Sequence, residues 1–260
     1  MIGAQPQFLA LDTDDGEPRR IACLVQPGAA DRPDLLWLAG FKSEMTSTKA
    51  TALASYAAAR GLGLVRFDYS GHGQSGGRFE DGTVTRWLEE ARAVFERLTA
   101  GPVILVGSSM GGYIALLLLR QLMAAAPAHA RRIRGLALIA PAWDMTERLM
   151  WQVFSAKARS APIEHGVYSR PSEYGDGDYP ITRALIEDGR RHLIGAAPFD
   201  PGRPVHILHG LLDPDVPWEH TLDLVAHLSG DWARVEAVPD GEHRLSPTRS
   251  SRSGRRASEA

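Results

Sequence analysis

Short apolar runs rich in Val, Ile and Leu alternate along this chain with longer stretches in which apolar residues recur every three or four positions. The first pattern predicts buried strands and the second helices packed by one face. Strands are expected at 8–11 and 20–25 as an opening antiparallel pair, then at 35–38, 64–67, 103–106, 133–139, 205–208 and 234–238. Helices are expected at 47–60, 83–98, 113–122 and 218–228. Between 83 and 98 the set Val84, Trp87, Leu88, Ala91, Val94, Phe95 and Leu98 draws a continuous apolar stripe. Strands that alternate with such helices predict an α/β fold, a mainly parallel sheet of about eight strands with helices on both faces.

The alternation breaks between Pro141 and Pro204. A helical segment at 145–159, a Tyr-, Pro- and Gly-rich loop at 165–179 and a second helix at 181–193 read as an insertion over the sheet edge. An insertion spanning about 142–203 is expected to form a lid. Trp143, Trp151, Phe154 and Tyr174, with Tyr168 and Tyr179, are the candidates for its substrate-facing aromatic roof, against the alternative of a satellite core. The hydrolytic domain is expected to occupy 1–247. The Ser- and Arg-rich 248–260 has no apolar periodicity and is expected to be a disordered polar tail. A sheet of this kind needs one more covering helix after its last strand, and none is encoded there.

Composition narrows the function classes. A hydrophobic fraction of 44% and a net charge of −2 over 260 residues suit one soluble domain with a large core and offer no basic surface for nucleic acid. The single cysteine, Cys23, has no partner for a disulfide and no metal-ligand spacing. No apolar run is long enough for stable membrane insertion, and positions 1–15 carry no secretory or organellar pattern, so a cytoplasmic location is expected.

Chemistry enters with Gly107-Ser108-Ser109-Met110-Gly111, set between the apolar run 103–106 and a helical stretch. Gly-x-Ser-x-Gly in a strand-turn-helix context is the pattern of a nucleophile elbow, which makes Ser109 the candidate nucleophile. A serine hydroxyl needs a base, and the base needs a group that orients it. Asp213, after the strand 205–208, and His243, after the last strand, follow Ser109 in the order this architecture uses. Asp215 competes with Asp213, but it precedes Val216-Pro217 and is expected to cap the next helix. The backbone N–H groups of Met110 and Phe41 are the candidate oxyanion donors. Ser108 is expected to donate a hydrogen bond within the elbow. Gly71-His72-Gly73 reads as a structural turn rather than a metal or phosphate site, and His220 and His227 as helical residues with structural roles.

With these residues in place the chain resembles the α/β-hydrolase superfamily. Within it, the similarity is to the palmitoyl-protein thioesterase and acyl-glucuronide esterase group with its bacterial relatives. The segments that carry it are Trp37-Leu38-Ala39-Gly40-Phe41-Lys42-Ser43 with Thr48-Lys49-Ala50, Arg66 to Gly73, Val106 to Gly112, Arg170-Pro171-Ser172-Glu173-Tyr174, His209-Gly210 with Asp213 and Val216-Pro217-Trp218, and Glu242-His243-Arg244. The resemblance implies a serine hydrolase that needs no cofactor or metal and cleaves carboxylic esters or thioesters through an acyl-enzyme, with its triad on Ser109, Asp213 and His243. Its partner would be a small ester or thioester, or an acylated protein. Peptidase, lactonase and C–C hydrolase activities, or a ligand-binding receptor without turnover, use the same scaffold and stand as alternatives.

Overall fold

The computed structural model describes residues 5–12, 18–170, 177–195 and 197–245. Tyr174 and the polar tail at 248–260 lie outside them.

Strands β1 (Gln7–Leu11) and β2 (Arg19–Gln26) pair antiparallel, with Gln7 opposite Cys23. The chain then runs through β3 (Asp34–Leu38), α1 (Thr48–Ala59), β4 (Gly63–Phe67), α2 (Val84–Leu98), β5 (Val103–Ser108), α3 (Met110–Ala125), the short α4 (Pro127–Ala130) and β6 (Ile133–Ile139). An inserted segment carrying α5 (Ala156–His165), β7 (Val167–Arg170), β8 (Tyr179–Thr182) and α6 (Arg183–Gly189) is followed by β9 (Val205–Gly210), α7 (Trp218–His227) and β10 (Ala233–Val238). Eight strands form one sheet in the order β1-β2-β4-β3-β5-β6-β9-β10, parallel from β4 onward. This is the α/β architecture expected from the alternation.

β3 and β5 run through the middle, and Leu36, Leu38, Val103 and Leu105 are fully buried. α3 is apolar nearly all round because it is enclosed on most sides, packed on β5 and against α2. Thr83 caps α2 by accepting from the Arg86 N–H. The parallel strands all point their C-terminal ends to one edge. There the loops after β3, β5, β9 and β10 meet.

The insertion departs from expectation in three places. The expected helix at 145–159 is two pieces, a π-helical turn (Thr146–Trp151) and α5 (Ala156–His165). Ser155 is extended and its hydroxyl accepts from the Ala158 N–H, so it starts a new helix rather than continuing the old one. The expected loop at 165–179 contains β7, which pairs with β8 as an antiparallel two-stranded sheet, Tyr168 opposite Ile181. Four-residue strands interrupted by Ser169 and Pro180 present too short a pattern to be read as strands. The helix expected at 181–193 is the shorter α6 (Arg183–Gly189). It ends where Gly189 lies against the side chain of Thr146, with no room for a Cβ.

β10 is an edge strand, and Val235, Glu236 and Ala237 on it are exposed. On one face of β6 and β9, Ala137, Ile139 and Leu208 line a shallow groove of about 370 Å³, open among the described residues.

Candidate active site

Ser109 sits between β5 and α3 with φ 54° and ψ −118°, a conformation that costs energy for a residue with a side chain. The surroundings hold it there. Its N–H donates to the Ile139 carbonyl at 2.8 Å and its own carbonyl accepts from Gly112 and Ala142. A Cβ on Gly107 would collide with the Gly111 carbonyl, and one on Gly111 with the Leu38 carbonyl. Both glycines of the motif are therefore required by close backbone approach.

The acid turn follows β9. Asp213 is buried, and its Oδ1 accepts from the N–H groups of Asp215 (2.9 Å) and Val216 (2.8 Å). His209 buttresses this turn from below, donating from Nε2 to the Val216 carbonyl and accepting from the Thr221 hydroxyl at Nδ1. The other oxygen of Asp213, Oδ2, accepts from His243 Nδ1 at 2.7 Å. That bond selects the tautomer in which His243 Nε2 can act as an acceptor.

Asp215 does not cap α7. The N-cap is Pro217, and the Asp215 carboxylate instead pairs with Arg170 of β7 at 3.7 Å. The proline leaves no side-chain acceptor at the cap position.

Ser109 and His243 line one cavity of about 990 Å³. No hydrogen bond joins the serine hydroxyl to the imidazole among the described residues, an open arrangement common before substrate binds. Phe41 lines the same cavity with its ring edge-on to Phe79 at 4.9 Å, and Met110 opens α3, where first-turn N–H groups have no intrahelical acceptor. The ligand atoms of Asp213, Asp215 and His243 lie within 4.8 Å of one another. Both oxygens of Asp213 already accept hydrogen bonds, three in all.

The loop carrying Phe41 is fixed from behind. Lys42 has φ 55°, and its N–H donates to His72 Nε2 at 3.1 Å. His72 Nδ1 donates to the Ser70 carbonyl, and Ser70 gives both its N–H and its hydroxyl to the buried Glu90 carboxylate. Burial pushes His72 down to about 4, so the ring is neutral and presents an acceptor at Nε2. The structural reading of the Gly-His-Gly turn thus has a definite content: it shapes the β3 loop.

Three of the proposed roof residues are elsewhere. Trp143, Trp151 and Phe154 are absent from the cavity wall. Trp143 is 4% exposed, donates from Nε1 to the His220 carbonyl and lies against the rings of His220 and His227. Phe154 packs edge-on to Tyr168, and Trp151 lies under the Arg190 guanidinium. Trp143 and Phe154 belong to the main hydrophobic core, and Trp151 packs against it. Tyr168 and Tyr179 of the same set do line the wall, beside the apolar side chains of Met145, Leu149, Met150 and Ile181. Ser108 also differs from expectation. Its hydroxyl accepts from Lys49 Nζ of α1 at 3.2 Å, a partner 59 positions away and invisible to any local pattern.

The family model described as serine aminopeptidase, S33, matches residues 35–171. Bovine mitochondrial palmitoyl-protein thioesterase ABHD10 is 30% identical over 214 residues, covering 82% of this chain and 67% of the relative. A crystal structure from Agrobacterium vitis S4 aligns with a TM-score of 0.88 at 44% identity, over 94% of this chain and 93% of that one. Mouse alpha/beta hydrolase domain-containing protein 10 aligns at 0.77 and 27% identity, over 92% and 91%. With the eight-stranded sheet and the elbow in their places, the chain belongs to the serine aminopeptidase S33 family of α/β hydrolases.

Proposed function

We propose that this chain hydrolyses carboxylic esters and thioesters through an acyl-enzyme on Ser109. The observation that carries the reading is the His243–Asp213 hydrogen bond at 2.7 Å, on a histidine that shares the cavity of a serine held at φ 54°. His243 Nε2 takes the Ser109 proton as Oγ attacks the acyl carbonyl, and Asp213 holds the ring and stabilises its positive charge. The Phe41 and Met110 N–H groups receive the oxyanion. His243 then protonates the leaving alcohol or thiol, and water activated by the same nitrogen releases the acid. The wall of Met145, Leu149, Met150 and Ile181 suits an acyl chain, and the thioesterase named among the relatives supports the thioester class.

A second reading, cleavage of an aminoacyl bond, draws on the description of the matching family and on Glu44 and Asp215 at the cavity. A substrate panel separates the two. Hydrolysis of p-nitrophenyl esters, acyl thioesters, acyl glucuronides and aminoacyl nitroanilides is ranked by kcat/KM. We expect esters and thioesters to lead, and Ser109→Ala to lower kcat by about 10⁴-fold or more. A fluorophosphonate should label the peptide containing Ser109. No turnover of any ester or thioester, or labelling that persists in Ser109→Ala, would overturn the proposal.

A further inference from the structure

Lys49, the second residue of α1, lines the cavity with Ser108, Ser109 and His243. Its Nζ donates to the Ser108 hydroxyl at 3.2 Å and to the backbone carbonyl of His243 at 3.0 Å. One acceptor belongs to the elbow and the other to the loop after β10. β5 and β10, which deliver these loops, are separated in the sheet by β6 and β9, so no ladder bond ties one loop to the other. Adjacent strands are about 4.8 Å apart, which puts the two strand ends three such spacings away from each other. The Asp213 bond orients the imidazole but does not set its distance from Ser109, because Asp213 hangs from β9.

A lysine is an expensive choice for a tie. Removing its ammonium from water is costly, and this burial pushes its pKa down to about 8, with Asp213 pulling up and Arg244 pushing further down. A positive charge here also opposes the imidazolium that forms as His243 takes a proton. The geometric gain has to outweigh both. A flexible four-carbon stem ending in three donors can satisfy two acceptors on separate loops at once, which no shorter polar side chain on α1 could reach.

We propose that Lys49 is a positioning residue that clamps the His243 loop to the nucleophile elbow, so that Nε2 and the Ser109 hydroxyl close to proton-transfer distance when substrate enters. This rests on the serine-hydrolase reading above. The clamp acts on the reacting geometry and on no substrate atom, so it should appear in kcat rather than KM for a small neutral ester. Misplacement of this kind costs about a hundredfold in rate.

The test compares wild type, Lys49→Met, which keeps the stem and removes the donors, and Lys49→Arg, which restores them. With p-nitrophenyl butyrate we expect Lys49→Met to lose about 10- to 100-fold in kcat with KM within about twofold, and Ser109 labelling by fluorophosphonate to slow in parallel. Lys49→Arg should recover part of the loss. The wild-type kcat profile should bend downward near pH 8, where Lys49 gives up the charge that strengthens both bonds, and the bend should vanish in Lys49→Met. Among the described residues the charged groups acting on this ammonium are Asp213 and Arg244, and His243 meets it with its backbone carbonyl. If Lys49→Met fails to fold, Ser108→Ala removes one acceptor only and should show the same kcat-specific loss on a smaller scale. Wild-type kcat in Lys49→Met, or in its stead in Ser108→Ala, overturns the clamp while leaving the Ser109 chemistry intact. An inactive, unlabelled wild type sinks the serine-hydrolase reading instead.

Discussion

Asp213 and Asp215 stand two positions apart in one turn, and their neighbours give them opposite tasks. Asp213 is buried beneath three donors, one of them the imidazole, whereas Asp215 faces the cavity and Arg170. An amide at 213 would present one donor to a histidine nitrogen that must itself donate, turning the ring to the wrong tautomer. We expect Asp213→Asn to lower kcat by about 10⁴-fold and Asp215→Asn to change it by less than about threefold. Steady-state kinetics on one neutral ester checks both, and equal losses would mean that the acid has been assigned to the wrong carboxylate. The order Ser, Asp, His along the chain was enough to nominate all three side chains, because each follows a strand whose C-terminal end lies on the same sheet edge. Lys49 and the Glu90–Ser70–His72–Lys42 chain were not nominated, since their partners lie 59 and 194, or 20 and 30, positions away.

At the scale of elements, the elbow is a packing problem before it is a catalytic device. α3 begins one residue after Ser109 and approaches β3 so closely that Gly111 rests on the Leu38 carbonyl. Gly111→Ala must push helix and strand apart at the centre of the core, where overpacking costs about 3 kcal/mol. Urea unfolding should report a loss of that order, and a loss below about 1 kcal/mol would show that the contact relaxes cheaply. The strands of the main sheet were legible because burial on both faces selects continuous Val, Ile and Leu runs. The insertion was not. β7 and β8 stabilise each other across one short ladder and pack on α5 and α6, so no single segment carries the signal; the one local cue at the break in the expected helix was Ser155, a good N-cap.

For the whole molecule, buried imidazoles make stability depend on pH. Burial holds His72 and His220 at about 4, against about 6.5 in an unfolded chain. Between these values the unfolded state binds more protons than the native one, so their contribution is intact above pH 6.5 and is lost as the pH falls toward 4. Asp68, Glu90 and Asp144 are raised by burial and act the other way, gaining native-state protons in acid. We expect unfolding free energy to fall between pH 7 and pH 5 by up to about 2 kcal/mol for each of the two histidines, and His220→Gln to flatten the slope. A slope unchanged in that variant would remove His220 from the account. What the amino-acid order determined by itself was local: the run of apolar residues that makes a strand, the stripe that makes a helix, the two glycines that let the chain turn at Ser109. Those choices depend on near neighbours in the chain and on burial in general. Only the tertiary structure decided which aromatic rings face the cavity, that Asp215 turns to Arg170 rather than to a helix cap, and that a lysine on α1 joins loops from β5 and β10, because each is a contact between segments whose approach is set by the packing of the whole sheet.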